Sequence, residues 1–131
     1  MKRSAALVQL SRDHHHALKL AVAVRRLDDA ADDQQIRDII DEVVRTMASE
    51  LEPHFQQEEN GLLPALAAFD DCGPLLARTL DDHRFLRHAA AELATRPDRA
   101  RLLDFAERLQ AHVRFEEREL FVAAEERLKL D

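Results

Sequence analysis

Apolar positions recur along this chain at alternating spacings of three and four, the signature of helix faces turned toward a core. Leu10, His14, Ala17, Ala21 and Val24 trace the first face. A helix is predicted to begin near Ser11, a suitable N-cap, with Asp13 in its first turn where a carboxylate suits the helix dipole. The Asp28-Asp29-Ala30-Ala31-Asp32-Asp33 stretch reads as a polar connector. A second helix follows from about Gln34 to Asn60, with Ile36, Ile40, Val43, Met47, Leu51, His54, Glu58 and Leu62 on one stripe. That stripe passes unbroken through Pro53, so a kink is expected there, where proline removes a backbone hydrogen bond. Asn60-Gly61 should loosen the helix, and Pro64 discourages its continuation.

Asp70-Asp71-Cys72-Gly73-Pro74 reads as the central turn, with Pro74 at the first position of helix three. Leu76, Leu80, His83, Leu86, Ala90 and Leu93 are predicted to line that helix's inner face. Thr95-Arg96-Pro97-Asp98 forms the next turn, with Asp98 as N-cap of a helix whose stripe is Leu102, Phe105, Leu109, His112, Glu116 and Leu120. No segment reads convincingly as a strand. Long amphipathic helices joined by short connections predict an all-α, up-down-up-down four-helix bundle, with residues 1–131 as a single domain.

The stripes carry more than apolar residues. His54-Phe-Gln-Gln-Glu58-Glu59 and His112-Val-Arg-Phe-Glu116-Glu117 spell one pattern twice, each followed by a Leu at the same offset. A His and a Glu four residues apart lie about 40° apart around a helix, so imidazole and carboxylate can converge on one cation. Asp13-His14 precedes the first pair and Asp82-His83 the second. His14, His54, Glu58, His83, His112 and Glu116 thus all fall where a bundle places its core. Burying six polar groups costs several kcal/mol unless each finds a partner. Any one of them could be a hydrogen-bonded core residue; a metal cluster would satisfy all six together.

This pattern resembles the hemerythrin-like (HHE cation-binding) family, over nearly the whole chain from about Leu10 to Leu128. The resemblance implies a four-helix bundle holding a non-haem di-iron centre, with one His per helix and one Glu on each of helices two and four as ligands. Several family members carry a second histidine on helix three, four residues after the first; here that position is Arg87. Oxygen carriers of the family use Asp where this chain has Glu116. The chain therefore looks like a four-His, two-Glu version of the site.

His15 and His16 lie about 100° and 200° around the helix from His14, and His88 about 140° off the inner face, so solvated positions are expected for all three. A one-residue ambiguity between His14 and His15 stays open. Glu59 and Glu117 are turned about 100° from Glu58 and Glu116, which favours a flanking or hydrogen-bond-accepting role.

Four imidazoles and two bridging carboxylates, with an oxo or hydroxo bridge, fill ten of the twelve places in two octahedra. Two places stay open for a small ligand. Mixed imidazole and carboxylate donors suit iron, manganese or zinc rather than calcium or magnesium. Neither Glu-x-x-His nor His-Glu-x-x-His occurs.

Charge and composition narrow the partners. Against 26 Asp and Glu stand 19 Lys and Arg, a net charge of −7, which argues against nonspecific nucleic-acid or anionic-membrane binding. No apolar run approaches the roughly 20 residues needed to span a bilayer. The Met1-Lys2-Arg3 start precedes no stretch suited to a signal peptide, so the cytoplasm is the expected compartment. The single cysteine, Cys72, excludes an intrachain disulfide.

For function, the first expectation is binding or sensing of oxygen, nitric oxide or a related small oxidant. A di-iron oxidoreductase acting on peroxide or nitric oxide is a second reading, and iron handling or iron–sulfur repair a third. The chain has no Tyr and no Trp to relay single electrons, which favours binding over catalysis. The iron–sulfur relatives usually carry a cysteine-bearing N-terminal domain, whereas only about ten residues precede the expected start of helix one. The protein partner is not identified by any motif.

Overall fold

A computed structural model describes residues 4–130, so the Met1-Lys2-Arg3 start lies outside the described residues. Four helices make up the bundle, and no strand occurs among the described residues. Helix α1 runs Ala5–Arg25. Helix α2 (33–66) consists of Asp33–Thr46, a π turn Met47–Leu51, Glu52–Gln57, a second π turn Glu58–Leu62, and a last turn Leu63–Leu66. Helix α3 is Gly73–Thr95. Helix α4 (99–128) consists of Arg99–Phe115, a π turn Glu116–Leu120, and Phe121–Leu128. Each helix packs against its two neighbours in chain order, with α1 closing the ring against α4. This is the up-down-up-down four-helix bundle the patterning predicts.

Local chemistry explains most boundaries. Asp32 caps α2 with a full capping box, accepting from Gln35 N while Gln35 Oε1 accepts from Asp32 N. Asp98 caps α4 by accepting from Ala100 N, as expected. Pro74 sits in the first turn of α3, where its missing N–H leaves no helical bond unmade.

Three expectations are corrected. Helix α1 starts at Ala5, not Ser11; Ser11 lies mid-helix, and its hydroxyl donates across the bundle to Glu117 at 2.6 Å. Asp13 is likewise no first-turn residue. Helix α2 does not stop at Asn60-Gly61 but passes through it as a π turn and continues beyond Pro64 to Leu66. Both α2 prolines, Pro53 and Pro64, follow a π turn by two residues. A proline clashes with the carbonyl four residues back, and the wider i→i+5 turn relieves that clash. On α3, Leu80 is 39% exposed while Thr79 is buried, so the inward stripe runs Thr79, His83, Leu86, Ala90, Leu93.

The core has two apolar parts. One gathers Val24, Ile40, Val43, Leu93, Leu102 and Phe105 toward one end of the bundle. The other gathers Leu7, Leu63, Leu66, Cys72, Phe121 and Ala124 toward the other end. Between them lies a belt of buried imidazoles and carboxylates.

Candidate metal centre

The six candidate ligands lie in that belt. His14 projects from α1, His54 and Glu58 from α2, His83 from α3, and His112 and Glu116 from α4, all of them buried. Of His14 and His15, His14 is the buried one; His15 and His16 are exposed, as is His88. His16 pairs instead with Glu50 and His88 with Glu92, both at the surface.

The six side chains form two groups that share two members. His14, His54, Glu58 and Glu116 bring four ligand-type atoms within 4.8 Å of one another, and Glu58, His83, His112 and Glu116 do the same. The carboxylates sit between the imidazole pairs. Glu116 Oε1 is 2.8 Å from His14 Nε2 and 3.4 Å from His54 Nε2, while its Oε2 is 3.1 Å from His112 Nε2. Glu58 turns Oε2 to His54 Nε2 at 3.2 Å and Oε1 to His83 Nε2 at 3.0 Å. Both π turns that begin at these residues, Glu58–Leu62 and Glu116–Leu120, lie at the centre of the belt. Such turns reset the side-chain phase, so the buried residue after Glu58 is Leu63 rather than the predicted Leu62.

The outward nitrogens are all committed. His14 Nδ1 lies 2.6 Å from Glu117, His83 Nδ1 2.6 Å from Glu59, His54 Nδ1 3.0 Å from Asp13 and His112 Nδ1 2.9 Å from Asp82. A carboxylate only accepts, so each Nδ1 carries a proton, and Nε2 is the nitrogen left to ligate a cation once any proton it shares with the central glutamates is displaced. The arrangement repeats in the two halves of the chain. The residue after each central Glu holds one His, and the residue before each helix-one or helix-three His holds another. Glu59 and Glu117 thus take the accepting role expected of them. The parts played by Asp13 and Asp82 were missed, although the repeated Asp-His pair was the visible signal. Two further contacts carried no signal: Phe55 stacks on His83 at 3.9 Å and Phe121 on His14 at 5.3 Å.

Protons alone satisfy this belt poorly. Glu58 Oε2, Glu116 Oε2 and His112 Nε2 are buried without a hydrogen bond, although His112 Nε2 and Glu116 Oε2 lie 3.1 Å apart. Donor atoms that face one another at short range with unsuitable bonding angles fit the shared shell of a cation. Burial opposes charge on His14, His54 and His112. The carboxylates around them, Glu116 foremost, outweigh it and hold all three above the ordinary imidazole value, His54 at about 11 and His112 at about 10. Burial, and then the charge of Glu116, raises Glu58. Glu116 goes the other way: burial pushes it up, but His112, His14 and His54 pull it well below the usual range.

Comparison with known families matches residues 6–124 to the hemerythrin HHE cation binding domain. The chain belongs to the hemerythrin HHE cation-binding family. Family membership implies a metal cofactor, commonly iron, and the clustered His and Glu side chains are donors that could bind it. No curated protein and no solved structure matches the chain significantly.

Arg87 occupies the place where some hemerythrin-like chains have a fifth histidine. Its guanidinium turns away from the belt and spans Glu52, at 2.7 and 2.8 Å, and Glu59, at 2.9 and 3.2 Å. Glu59 has its carboxyl below the usual range: burial raises it, but Arg87 and His83 prevail. Beside the belt, a cavity of about 10 Å³ borders His14, His54 and His112 and is walled by Ala17, Leu51 and Leu109. That is about the space one water occupies. No helix among the described residues is long and apolar enough to cross a membrane.

Proposed function

We propose that this chain is a non-haem di-iron protein that binds or senses oxygen, nitric oxide or a related small oxidant. The observation that carries the reading is the sharing of Glu58 and Glu116 between two groups of buried donor atoms. His14 and His54 would hold one ion and His83 and His112 the other, with Glu58 and Glu116 available to both. Mixed imidazole and carboxylate donors suit iron, and manganese or zinc can occupy the same set on purification. Iron, once bound, supplies reversible one-electron chemistry and open coordination positions.

The chain's own residues do the rest. Asp13, Glu59, Asp82 and Glu117 fix the tautomer and angle of each imidazole, which raises its donor strength. Phe55, Phe121 and the two apolar clusters keep bulk water out. The cavity beside Ala17 and Leu51 has room for about one water-sized guest. Arg87 cannot ligate, because guanidinium stays protonated, and its pairing with Glu52 and Glu59 supports a four-His set. Binding is favoured over turnover because the chain lacks Tyr and Trp, and Cys72 lies buried in the apolar cluster at one end of the bundle. A cytoplasmic location belongs to the same reading.

The test is metal analysis of protein reconstituted with iron under anaerobic conditions, followed by optical titration with oxygen and with nitric oxide. Two iron ions per chain and an absorption change that reverses when the gas is removed are expected. A stoichiometry near zero would overturn the reading, and a value near one would replace it with a mononuclear site.

A further inference from the structure

A surface groove and the buried cavity share one wall. The groove, about 320 Å³, lies between α1 and α2 and takes in Lys19, Ala23 and Glu42. The cavity, about 10 Å³, reaches inward to His14, His54 and His112. His16, Thr46 and Glu50 line both, so these three side chains stand between solvent and the belt. His16 Nδ1 lies 2.9 Å from Glu50 Oε1 and links the two helices, and buried Thr46 completes the wall. Glu50 belongs to the π turn Met47–Leu51 of α2, which packs against α1. On α1, Ala17 offers a single methyl where a longer side chain would fill the cavity.

His16 and Glu50 are 70% and 46% exposed, and solvent screens an ion pair so placed, which holds its geometry only weakly. Exposed side chains change rotamer far faster than a bundle unfolds, so the pair parts without disturbing the core. We propose that the His16–Glu50 pair, with Thr46, is the entrance through which a small uncharged molecule passes from the groove to the belt. This rests on the reading above, that a small oxidant is bound there. Size is selected because the cavity beyond the wall has room for about one water, so bulkier molecules stay in the groove. Charge is selected because Asp13 and Glu50 line the cavity, and among the described residues no Lys or Arg does. An anion is repelled by those carboxylates on its way in, whereas oxygen and nitric oxide are not.

The experiment takes two readings on the full chain. With zinc loaded in place of iron, the methyl signals of Ala17, Leu51 and Val113 are followed by NMR under dissolved oxygen, and separately with the bulky uncharged nitroxide TEMPOL. Oxygen should broaden all three, while TEMPOL should broaden Ala23 in the groove and spare them. With iron loaded and reduced, stopped-flow mixing with nitric oxide should show faster association in His16→Ala and slower association in Ala17→Leu. Lys19→Ala should leave the rate unchanged, because Lys19 lies in the groove but not in the shared wall. Glu50→Gln should speed association of azide more than that of nitric oxide. His16→Ala alters an exposed side chain and carries the kinetic test if Ala17→Leu does not fold. Cavity methyls untouched by oxygen, or a nitric oxide rate indifferent to His16→Ala, would overturn the proposal while bound iron leaves the underlying reading standing. A chain that takes up neither metal would overturn both.

Discussion

Each belt histidine has one ring nitrogen engaged outward by a carboxylate and the other turned inward, and this division sets what each substitution should do. Glu58 and Glu116 each face both imidazole pairs, so Glu58→Ala or Glu116→Ala removes a donor from both halves at once. Loss of two-metal stoichiometry is expected from either, by elemental analysis after reconstitution. Glu59→Ala removes the acceptor behind His83 and a partner of Arg87 but no atom shared by the two imidazole pairs, and there the two ions should still bind, about 10- to 100-fold more weakly by calorimetry. Equal losses from all these variants would show that the central and flanking glutamates are not distinct in role. The raised imidazoles add a second expectation. In the metal-free protein His54, at about 11, and His112, at about 10, hold protons at neutral pH that a cation must displace. Metal loading should therefore release protons, seen as binding heats that vary with the ionisation heat of the buffer. Apparent affinity should rise with pH up to that range.

The helices show which parts of this protein a linear pattern can reveal. The stripes of α1 and of α4 were legible because their spacing of three and four holds from Leu10 to Val24 and from Leu102 to Glu116. The candidate site was legible for the same reason: His14, His54, Glu58, His83, His112 and Glu116 lie on the inward stripes of the four helices, and the bundle brings them together. What stayed hidden depends on departures from the α-helical period or on contacts across the bundle. A π turn adds a residue to one turn, so the pattern that reached Leu62 on paper reaches Leu63 in space. Ser11 has the chemistry of an N-cap, and only the packing of α1 against α4 makes it a partner of Glu117 instead. Asp82 stands in the sequence only as the neighbour of His83, because its partners Arg108 and His112 arrive from another helix. A local prediction follows for α2. Asp32→Ala breaks the capping box and should cost about 1 kcal/mol in denaturant unfolding. Metal stoichiometry should not change, because the cap lies at the far end of the helix from Glu58. A loss of metal in that variant would mean the start of α2 positions the belt.

Across the molecule, the belt interrupts a core that would otherwise be continuous, and the stability of the fold depends on what neutralises it. Without metal, protons take that part: His14, His54 and His112 are all raised, and so is Glu58, against the lowered Glu116. The sign follows from linkage. Raised imidazoles stabilise the fold fully below their ordinary value of 6.5, and that contribution is lost as pH climbs through their folded values of about 10 and 11. Glu58 contributes with the same sign. Glu116 is depressed, so its contribution is already complete above the usual carboxylate range and stays constant near neutrality. The metal-free protein should therefore lose thermal stability steadily as pH rises above about 6.5. The loaded protein needs neutral imidazoles and ionised carboxylates, so alkaline pH favours its binding rather than opposing it. Metal that binds only the folded chain also adds stability in proportion to the logarithm of its concentration over Kd. Melting curves with and without iron should thus diverge with pH, the gap being wider at about pH 8.5 than at about pH 6. Parallel curves would mean that protons do not occupy the belt when metal leaves. Coincident ones would mean that no metal does.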